Sequence, residues 1–182
     1  MSGAVPRILA GAALSLALAA GPALADVGPA SKPDADGIVL ANVTISVKDL
    51  DKSTRFYTAL GFEAGDQHDV PAAVAKALGS KAANAKLSIR FMKRDGVVLE
   101  LVHLDPAPTA KASQGTAAQL GLAHLAFRVD DVDRVAKIVK DNGGGTVDQN
   151  RTKLGPPGQG VDILFCTDPD GTMMEVVGPV KG

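Results

Sequence analysis

Polar and apolar residues alternate in the sequence NVTISV at 42–47, and the alternation returns as HLAFRV at 124–129, 82 positions later. A period of two predicts β-strands with one apolar face and one polar face. Each strand is followed by aspartates that can cap a helix, and then by a helical stretch that ends at a glycine, Gly61 or Gly143. The chain therefore repeats one strand–helix unit.

A second repeated sequence closes each unit, because DGVVLE at 95–100 returns as DGTMME at 170–175, 75 positions later. Each copy indicates a hairpin turn followed by a strand that carries a glutamate between apolar neighbours. Each half is therefore predicted to be a βαβββ module. The predicted fold class is α+β, with two repeated modules, at about 37–105 and 120–180, that form a cup-shaped mixed sheet.

The bounds of the elements follow from the apolar runs, glycines and prolines. The expected strands are 39–47, one that begins at 61, and 87–92, 97–102, 123–129, 146–147, 161–167 and 172–177. The expected helices are 51–60, capped by Asp49 or Asp51, then 70–79 and 132–142. Loops are expected from 106 to 114, between the modules, and at 150–160, where glycine and proline are frequent.

The N-terminus has the pattern of a secretory signal peptide. Arg7 precedes an apolar run at 8–20, which is followed by Gly-Pro and by the small-x-small sequence Ala-Leu-Ala that ends at Ala25. The run is shorter than the roughly 20 residues that a membrane-spanning helix needs. We therefore expect a signal peptide at 1–25, cleavage after Ala25, a disordered linker at 26–36 and a folded domain at 37–180 in the periplasm or outside the cell.

Composition narrows the classes of function. The chain has 182 residues, a net charge of −1 and 46% apolar content, which suits one domain with an apolar core. It has no basic stripe and only 3% aromatic residues, so nucleic-acid binding is not expected. Once the signal is removed, no membrane contact is expected either. The single Cys166 stands in the apolar run ILFC and is expected to be a small buried side chain.

Four side chains occupy matched places in the two modules: Asn42 and Glu100 in the first, His124 and Glu175 in the second. If a pseudo-twofold axis relates the modules, the polar strand faces turn into one concavity and these four side chains can converge. A carboxylate on such a face is costly unless it is paired or binds a metal. Taken alone, however, His124 could be a satisfied core histidine and Asn42 an ordinary hydrogen-bonding residue. His103 is expected on the opposite face of the strand that carries Glu100.

These motifs together resemble the glyoxalase/bleomycin-resistance/extradiol-dioxygenase group, the vicinal oxygen chelate superfamily, and are most similar to glyoxalase I, lactoylglutathione lyase. The resemblance covers 38–179. It rests on 42–62 with its Phe-Tyr and Leu-Gly-Phe motifs, Leu-Glu-Leu at 99–101, His124 opening a strand, and Asp-Pro-Asp-Gly at 168–171 before Glu175. It implies a divalent metal bound by residues at the positions of Asn42, Glu100, His124 and Glu175.

One of these positions departs from the family pattern. Glyoxalase I has histidine or glutamine where this chain has Asn42, which offers only a neutral carbonyl oxygen on a shorter side chain. The remaining set still suits Ni²⁺, Co²⁺, Mn²⁺, Fe²⁺ or Zn²⁺, with lower expected affinity. The same change counts against an extradiol dioxygenase, whose iron site needs two histidines and one carboxylate.

The resemblance implies a lyase or isomerase that acts on a small substrate with vicinal oxygens through an enediolate. Glu175 is the expected base, and Glu100 is the expected group that returns the proton. A carboxylate bound to a cation is a poor base, so Glu175 would have to leave the metal first. A metal-free binding protein of the bleomycin-resistance type is the alternative, and a dioxygenase is a third. The sequence leaves a monomer and a homodimer both open.

Overall fold

A computed structural model describes residues 40–82, 84–109 and 120–181, so the expected signal peptide at 1–25 and linker at 26–36 lie outside the described residues. Module 1 contains β1 (Val43–Val47), α1 (Leu50–Ala59), β2 (Glu63–Val70), α2 (Ala72–Ala77), β3 (Lys86–Arg94) and β4 (Val97–Asp105). Module 2 contains β5 (Leu125–Arg128), α3 (Val132–Asp141), β6 (Gly145–Leu154), β7 (Val161–Thr167) and β8 (Met173–Pro179). The α+β fold of two repeated modules is confirmed.

Each module forms its own four-stranded mixed sheet, with the order β1-β4-β3-β2 in module 1 and β5-β8-β7-β6 in module 2. The first strand of each module pairs in parallel with the last, and the other pairings are antiparallel. Glu100 lies beside Phe91 on its antiparallel partner, and Glu175 lies beside Phe165 in the same way. The two carboxylates therefore occupy equivalent positions in the two sheets.

The main helices begin in the same way in both modules. Asp49 caps α1 by accepting a hydrogen bond from the Lys52 amide at 2.9 Å, and Asp131 caps α3 by accepting one from the Arg134 amide at 3.0 Å. This contact selects Asp49 over Asp51 as the cap of α1. A side-chain oxygen at the cap satisfies an amide that has no partner inside the helix.

β6 is the element that the sequence predicted least well. The expected strand at 146–147 is in fact a strand from Gly145 to Leu154, and the expected loop at 150–160 is reduced to 155–160. The prediction was wrong because the second half of β6 has no apolar alternation. This half is an edge strand, specified by pairing of Arg151 and Lys153 with β7 rather than by its own pattern. The charged side chains also protect an edge from unwanted pairing.

The larger apolar core lies between the helices and the sheets and is shared by both modules. It includes Phe56 and Met92 from module 1 and Leu164 and Met174 from module 2. Cys166 is fully buried there, as predicted, and burial raises the pKa of its thiol to about 11. No helix among the described residues is long and apolar enough to cross a bilayer.

A second, smaller core lies on the opposite face of the module 1 sheet, beneath α2. Ala75 of α2 is fully buried there against Leu87, Ile89 and Phe91 of β3. The sequence predicted this helix, at 70–79, but not that it covers the sheet face that also bears Glu100. Module 2 has no corresponding helix, because β6 and β7 are joined by the connection at 155–160.

Candidate functional site

Glu100 is held by two donors from the neighbouring strand region. The Asn42 amide Nδ2 donates a hydrogen bond to Glu100 Oε2 at 3.2 Å, and the Thr44 hydroxyl donates one to the same oxygen at 2.7 Å. Thr44 lies directly opposite Glu100 in the parallel β1–β4 register. Both donors contact one carboxylate oxygen, and no described residue donates to Oε1 of Glu100. Hydrogen bonds of this kind fix the orientation of a carboxylate.

In module 2, Glu175 is paired with a histidine. His124 Nε2 lies 3.2 Å from Glu175 Oε2, and the two side chains are 31% and 22% exposed, so solvent reaches both. His124 immediately precedes β5, and its ring packs edge-on against Phe165 with 5.6 Å between ring centroids. Phe165 thus orients the imidazole while the carboxylate remains accessible to a small molecule.

The structure brings the four predicted residues together as two pairs, Asn42 with Glu100 and His124 with Glu175. Within the described ranges, no three His, Cys, Asp or Glu side chains are grouped so that they could hold a metal ion. The convergence of all four residues on one ion therefore stays a prediction. His103 lies on the helix side of its sheet, as predicted, with Nδ1 3.3 Å from the Val47 carbonyl oxygen.

The module 2 pair fits a divalent ion better than the module 1 pair. Two ligand atoms that bind one ion at about 2.1 Å lie roughly 3.0–3.4 Å apart, and the 3.2 Å between His124 Nε2 and Glu175 Oε2 matches that separation. In module 1, by contrast, Asn42 turns its NH₂ group towards Glu100, so its amide is oriented as a hydrogen-bond donor. Imidazole and carboxylate are suitable ligands for the first-row metals named above.

Two residues of this region were absent from the sequence-based site. The first is Thr44, whose place two residues after Asn42 puts both side chains on one face of β1. Phe165 became recognisable only through the β7–β8 register, which sets it beside Glu175. Alternation along one strand shows which of its residues share a face of the sheet. The residue that lies opposite on the next strand is known only once the pairing of the two strands is known.

The Asp-Pro-Asp-Gly turn at 168–171 holds the modules together. Asp168 is 2% exposed and accepts hydrogen bonds from the Tyr57 hydroxyl at 3.0 Å and from the amides of Asp170 and Thr172 at 2.9 and 2.8 Å. Burial, followed by the adjacent Asp168 carboxylate, raises the pKa of Tyr57 well above its usual range. Asp170 in turn accepts a hydrogen bond from the Lys48 amide at 3.0 Å. We call the contact of this turn with Lys48 and Tyr57 of module 1 the closed seam.

The chain matches one family of known proteins. The model of the Glyoxalase/Bleomycin resistance protein/Dioxygenase superfamily matches residues 39–176. No curated protein matches the chain significantly.

Several solved structures share the fold. A glyoxalase family protein from Bacillus cereus is 19% identical, with a TM-score of 0.62 and coverage of 80% of this chain and 98% of that one. A glyoxalase family protein from Enterococcus faecalis is 26% identical, with a TM-score of 0.52 and coverage of 75% and 94%. A fosfomycin resistance protein, FosX, from Listeria monocytogenes is 18% identical, with a TM-score of 0.51 and coverage of 78% and 93%. The first and third likenesses, at these identities, show the fold alone.

Proposed function

Because the chain belongs to the glyoxalase/bleomycin resistance protein/dioxygenase superfamily, we propose that it binds a small molecule with two adjacent oxygens and catalyses proton transfer on it, as a lyase or isomerase. The observation that carries this proposal is the His124–Glu175 pair, which is solvent-accessible and lies on a sheet face that no helix of the described residues covers. A base must be reachable by the substrate and held in a fixed direction, and this pair satisfies both requirements.

Glu175 is the proposed base. It would remove the proton next to the substrate carbonyl and so generate an enediolate. His124 Nε2 lies 3.2 Å from Oε2 of Glu175, and no described residue donates a hydrogen bond to Oε1. We assign the return of the proton to Glu100, because it has the equivalent register in the other sheet and Asn42 and Thr44 likewise leave its Oε1 free of donors among the described residues.

A divalent metal completes the proposal. His124 and Glu100 would hold it, together with Glu175 until the substrate displaces that carboxylate and frees it to act as a base, and with the Asn42 carbonyl as a weak further ligand. The ion would act as a Lewis acid that polarises the substrate oxygens. The two protein pairs would have to approach each other for this arrangement. We further propose that the mature protein acts in the periplasm or outside the cell, on the basis of the sequence pattern at 1–25.

A second candidate function is metal-free binding of a small molecule, as in a bleomycin resistance protein. One observation favours it, namely that no described group of three His, Cys, Asp or Glu side chains is arranged to hold an ion. The donation from Asn42 Nδ2 to Glu100 supports it as well, because an amide oriented as a hydrogen-bond donor does not present its carbonyl oxygen to an ion.

One set of variants tests both candidates. The mature protein and its Glu175→Gln, Glu100→Gln and His124→Ala variants are purified without chelators, and bound metal is measured by elemental analysis. Exchange of the hydroxymethyl protons of hydroxyacetone with D₂O is followed by NMR. We expect Glu175→Gln to slow the exchange by about 10²–10⁴-fold, the usual contribution of a general base.

Glu63→Gln is the matched control, since Glu63 is an exposed glutamate on β2 of the same protein. It should leave both metal content and exchange unchanged. Exchange that persists in Glu175→Gln would contradict the role of Glu175. A wild-type protein that contains no metal and catalyses no exchange, yet binds hydroxyacetone, would replace the lyase proposal with the binding function.

A further inference from the structure

The sheet faces that bear Glu100 and Glu175 carry the same residue types on their inner strands. Two neighbouring rows run across each face, one through the glutamate and one through the valine two residues later. In module 1 the rows are Thr44–Glu100–Phe91 and Ser46–Val102–Ile89. In module 2 they are Ala126–Glu175–Phe165 and Arg128–Val177–Ile163. Within these rows the two faces differ only in the first member of each, on β1 and β5.

The first difference opens space beside the accessible base. In module 1 the Thr44 hydroxyl donates a hydrogen bond to Glu100 Oε2 at 2.7 Å. Ala126, at the equivalent place in module 2, has no hydroxyl and is itself exposed, so it neither binds Glu175 nor covers it. A small substrate can therefore lie over Ala126, next to the Glu175 carboxylate.

The second difference places a positive charge at the edge of that space. The odd-numbered residues of 125–129 pack against the larger core, so Arg128 projects from the opposite face of β5, the face that bears Glu175. The rise along a strand and the spacing between strands put the Cα atoms of Arg128 and Glu175 about 8 Å apart. His124 lies two residues before Ala126 and Arg128 two residues after it, so the two side chains flank the space on opposite sides.

Arg128 has no protein partner that would account for its place. The residue is exposed, and neither a hydrogen bond nor an ion pair joins its guanidinium to any described residue, Glu175 and Asp130 included. Val177 and Ile163, which complete its row, are half-buried and uncharged. Arg128 is therefore the one cationic side chain in the two rows of module 2, and its counterpart in module 1, Ser46, is neutral.

We propose that Arg128 determines the specificity of the Glu175 site by binding a carboxylate, so that the substrate is a small keto acid with a hydroxyl group beside its carbonyl. This inference rests on the proposed function, which places the reacting carbon at Glu175. The two differences act together, because Ala126 leaves room for the body of the substrate and Arg128 meets its carboxylate at the far end of that room. A guanidinium group offers paired donors that match the two oxygens of a carboxylate.

Hydroxyacetone and hydroxypyruvate form a matched pair of probes, because hydroxypyruvate has a carboxylate where hydroxyacetone has a methyl group. Exchange of the hydroxymethyl protons with D₂O is followed by NMR for both compounds with the full mature chain. We expect the KM of hydroxypyruvate to be about tenfold lower than that of hydroxyacetone, the difference that one charge-assisted hydrogen bond makes.

Arg128→Gln should raise the KM of hydroxypyruvate about tenfold relative to that of hydroxyacetone, because the carboxylate loses its charged donor. Arg128→Lys should keep part of the preference, since it keeps the charge but not the paired donors. Arg134→Gln is the matched control, because it removes an exposed arginine from α3, on the helix side of the same module. It should keep the full preference. Thermal unfolding of each variant verifies that the fold is retained.

Calorimetry of the same two compounds separates this inference from the proposed function, because binding does not require proton transfer. Tighter binding of hydroxypyruvate that is lost in Arg128→Gln supports the inference even without exchange, and the absence of exchange would then overturn the proton transfer alone. The inference is overturned if the wild type binds both compounds equally. It is also overturned if the folded Arg128→Gln variant keeps the preference, as it would if a bound metal or another cation received the carboxylate.

Discussion

The same row of apolar side chains lies on one face of each sheet, yet the two rows have different surroundings. In module 1 the row on β3 is buried beneath α2, with Ile89 4% and Phe91 6% exposed. In module 2 the matching residues of β7, Ile163 and Phe165, are only partly buried, and Val161 is 40% exposed. The difference arises from one connection, 71–85 in module 1 and 155–160 in module 2.

This comparison indicates how a repeated module can serve two purposes. The helix in the longer connection converts the sheet face into core, whereas the short connection leaves the face open beside the His124–Glu175 pair. The register is the same in both sheets, so neither the strands nor the carboxylate positions had to change. The length of a surface loop therefore determines which module contributes stability and which contributes an accessible surface.

The largest expected effect is a difference in the free energy of unfolding lost when Phe91 and Phe165 are each replaced by alanine. Phe91→Ala should lower the free energy of unfolding by about 4 kcal/mol, because it opens a cavity under α2. Phe165→Ala removes a ring that is already partly solvated and should cost about 1 kcal/mol. Urea unfolding of the two variants measures both values. Equal losses would show that the face of module 2 is as well covered as that of module 1.

A second contrast concerns the charged contacts of the two main helices. Arg151 donates to the buried Asp162 at 2.9 and 2.6 Å and to Asp133 of α3 at 2.6 Å. In module 1, Asp51 of α1, the counterpart of Asp133, contacts an arginine of a different strand, Arg90 of β3, only loosely at 3.9 Å, and Asp51 is 72% exposed. Asp162→Asn should therefore cost about 3 kcal/mol near neutral pH, since it leaves Arg151 partly unpaired, whereas Asp51→Asn should cost less than about 0.5 kcal/mol.

The pH dependence sharpens this test. The hydrogen bonds from Arg151 hold the pKa of Asp162 below its usual value of 3.8. Because the folded state binds this proton less tightly than the unfolded state, the stabilisation is fully present above 3.8 and is lost as the pH falls through the folded-state pKa. Acid titration of unfolding in urea should show this loss in the wild type and a smaller one in Asp162→Asn. Parallel curves would contradict the assignment.

A further prediction concerns the closed seam. Tyr57→Phe removes one of three donors to Asp168 and should cost about 1–2 kcal/mol. Burial raises the pKa of Tyr57 above its usual 10.0, so its contribution is complete below that pH and is lost as the pH rises further. Tyr57 is the single tyrosine of the chain, so tyrosinate absorbance should appear only as the protein unfolds in alkali. Absorbance that precedes unfolding would show an accessible hydroxyl.

Much of the fold could be predicted because its signals are local. The alternation at 42–47 and 124–129, the aspartates that can cap α1 and the hairpin at 95–96 each depend on a few consecutive residues. β6 was mispredicted because its second half is specified by pairing with β7, a contact that its own residues do not encode.

The candidate site could be predicted only in part, for a related reason. Strand alternation correctly assigned Glu100 and His103 to opposite faces and matched Glu175 to Glu100. It cannot give the distance between two modules, which depends on how Phe62, Phe127 and the helices pack. The burial of Asp168 was also missed, because an aspartate in a turn is usually solvated and its partner, Tyr57, is distant in sequence.

The parallel pairing of β1 with β4 has a consequence for synthesis on the ribosome. Val43 pairs with Leu99 and Val47 with His103, so the first strand emerges long before its partner exists. The hairpins of β2, β3 and β4 join sequence neighbours and can assemble earlier, whereas the non-local parallel contact forms slowly. A nascent chain of this protein should therefore present β1 as an unpaired strand with one exposed apolar face, which chaperones can bind, until β4 has emerged.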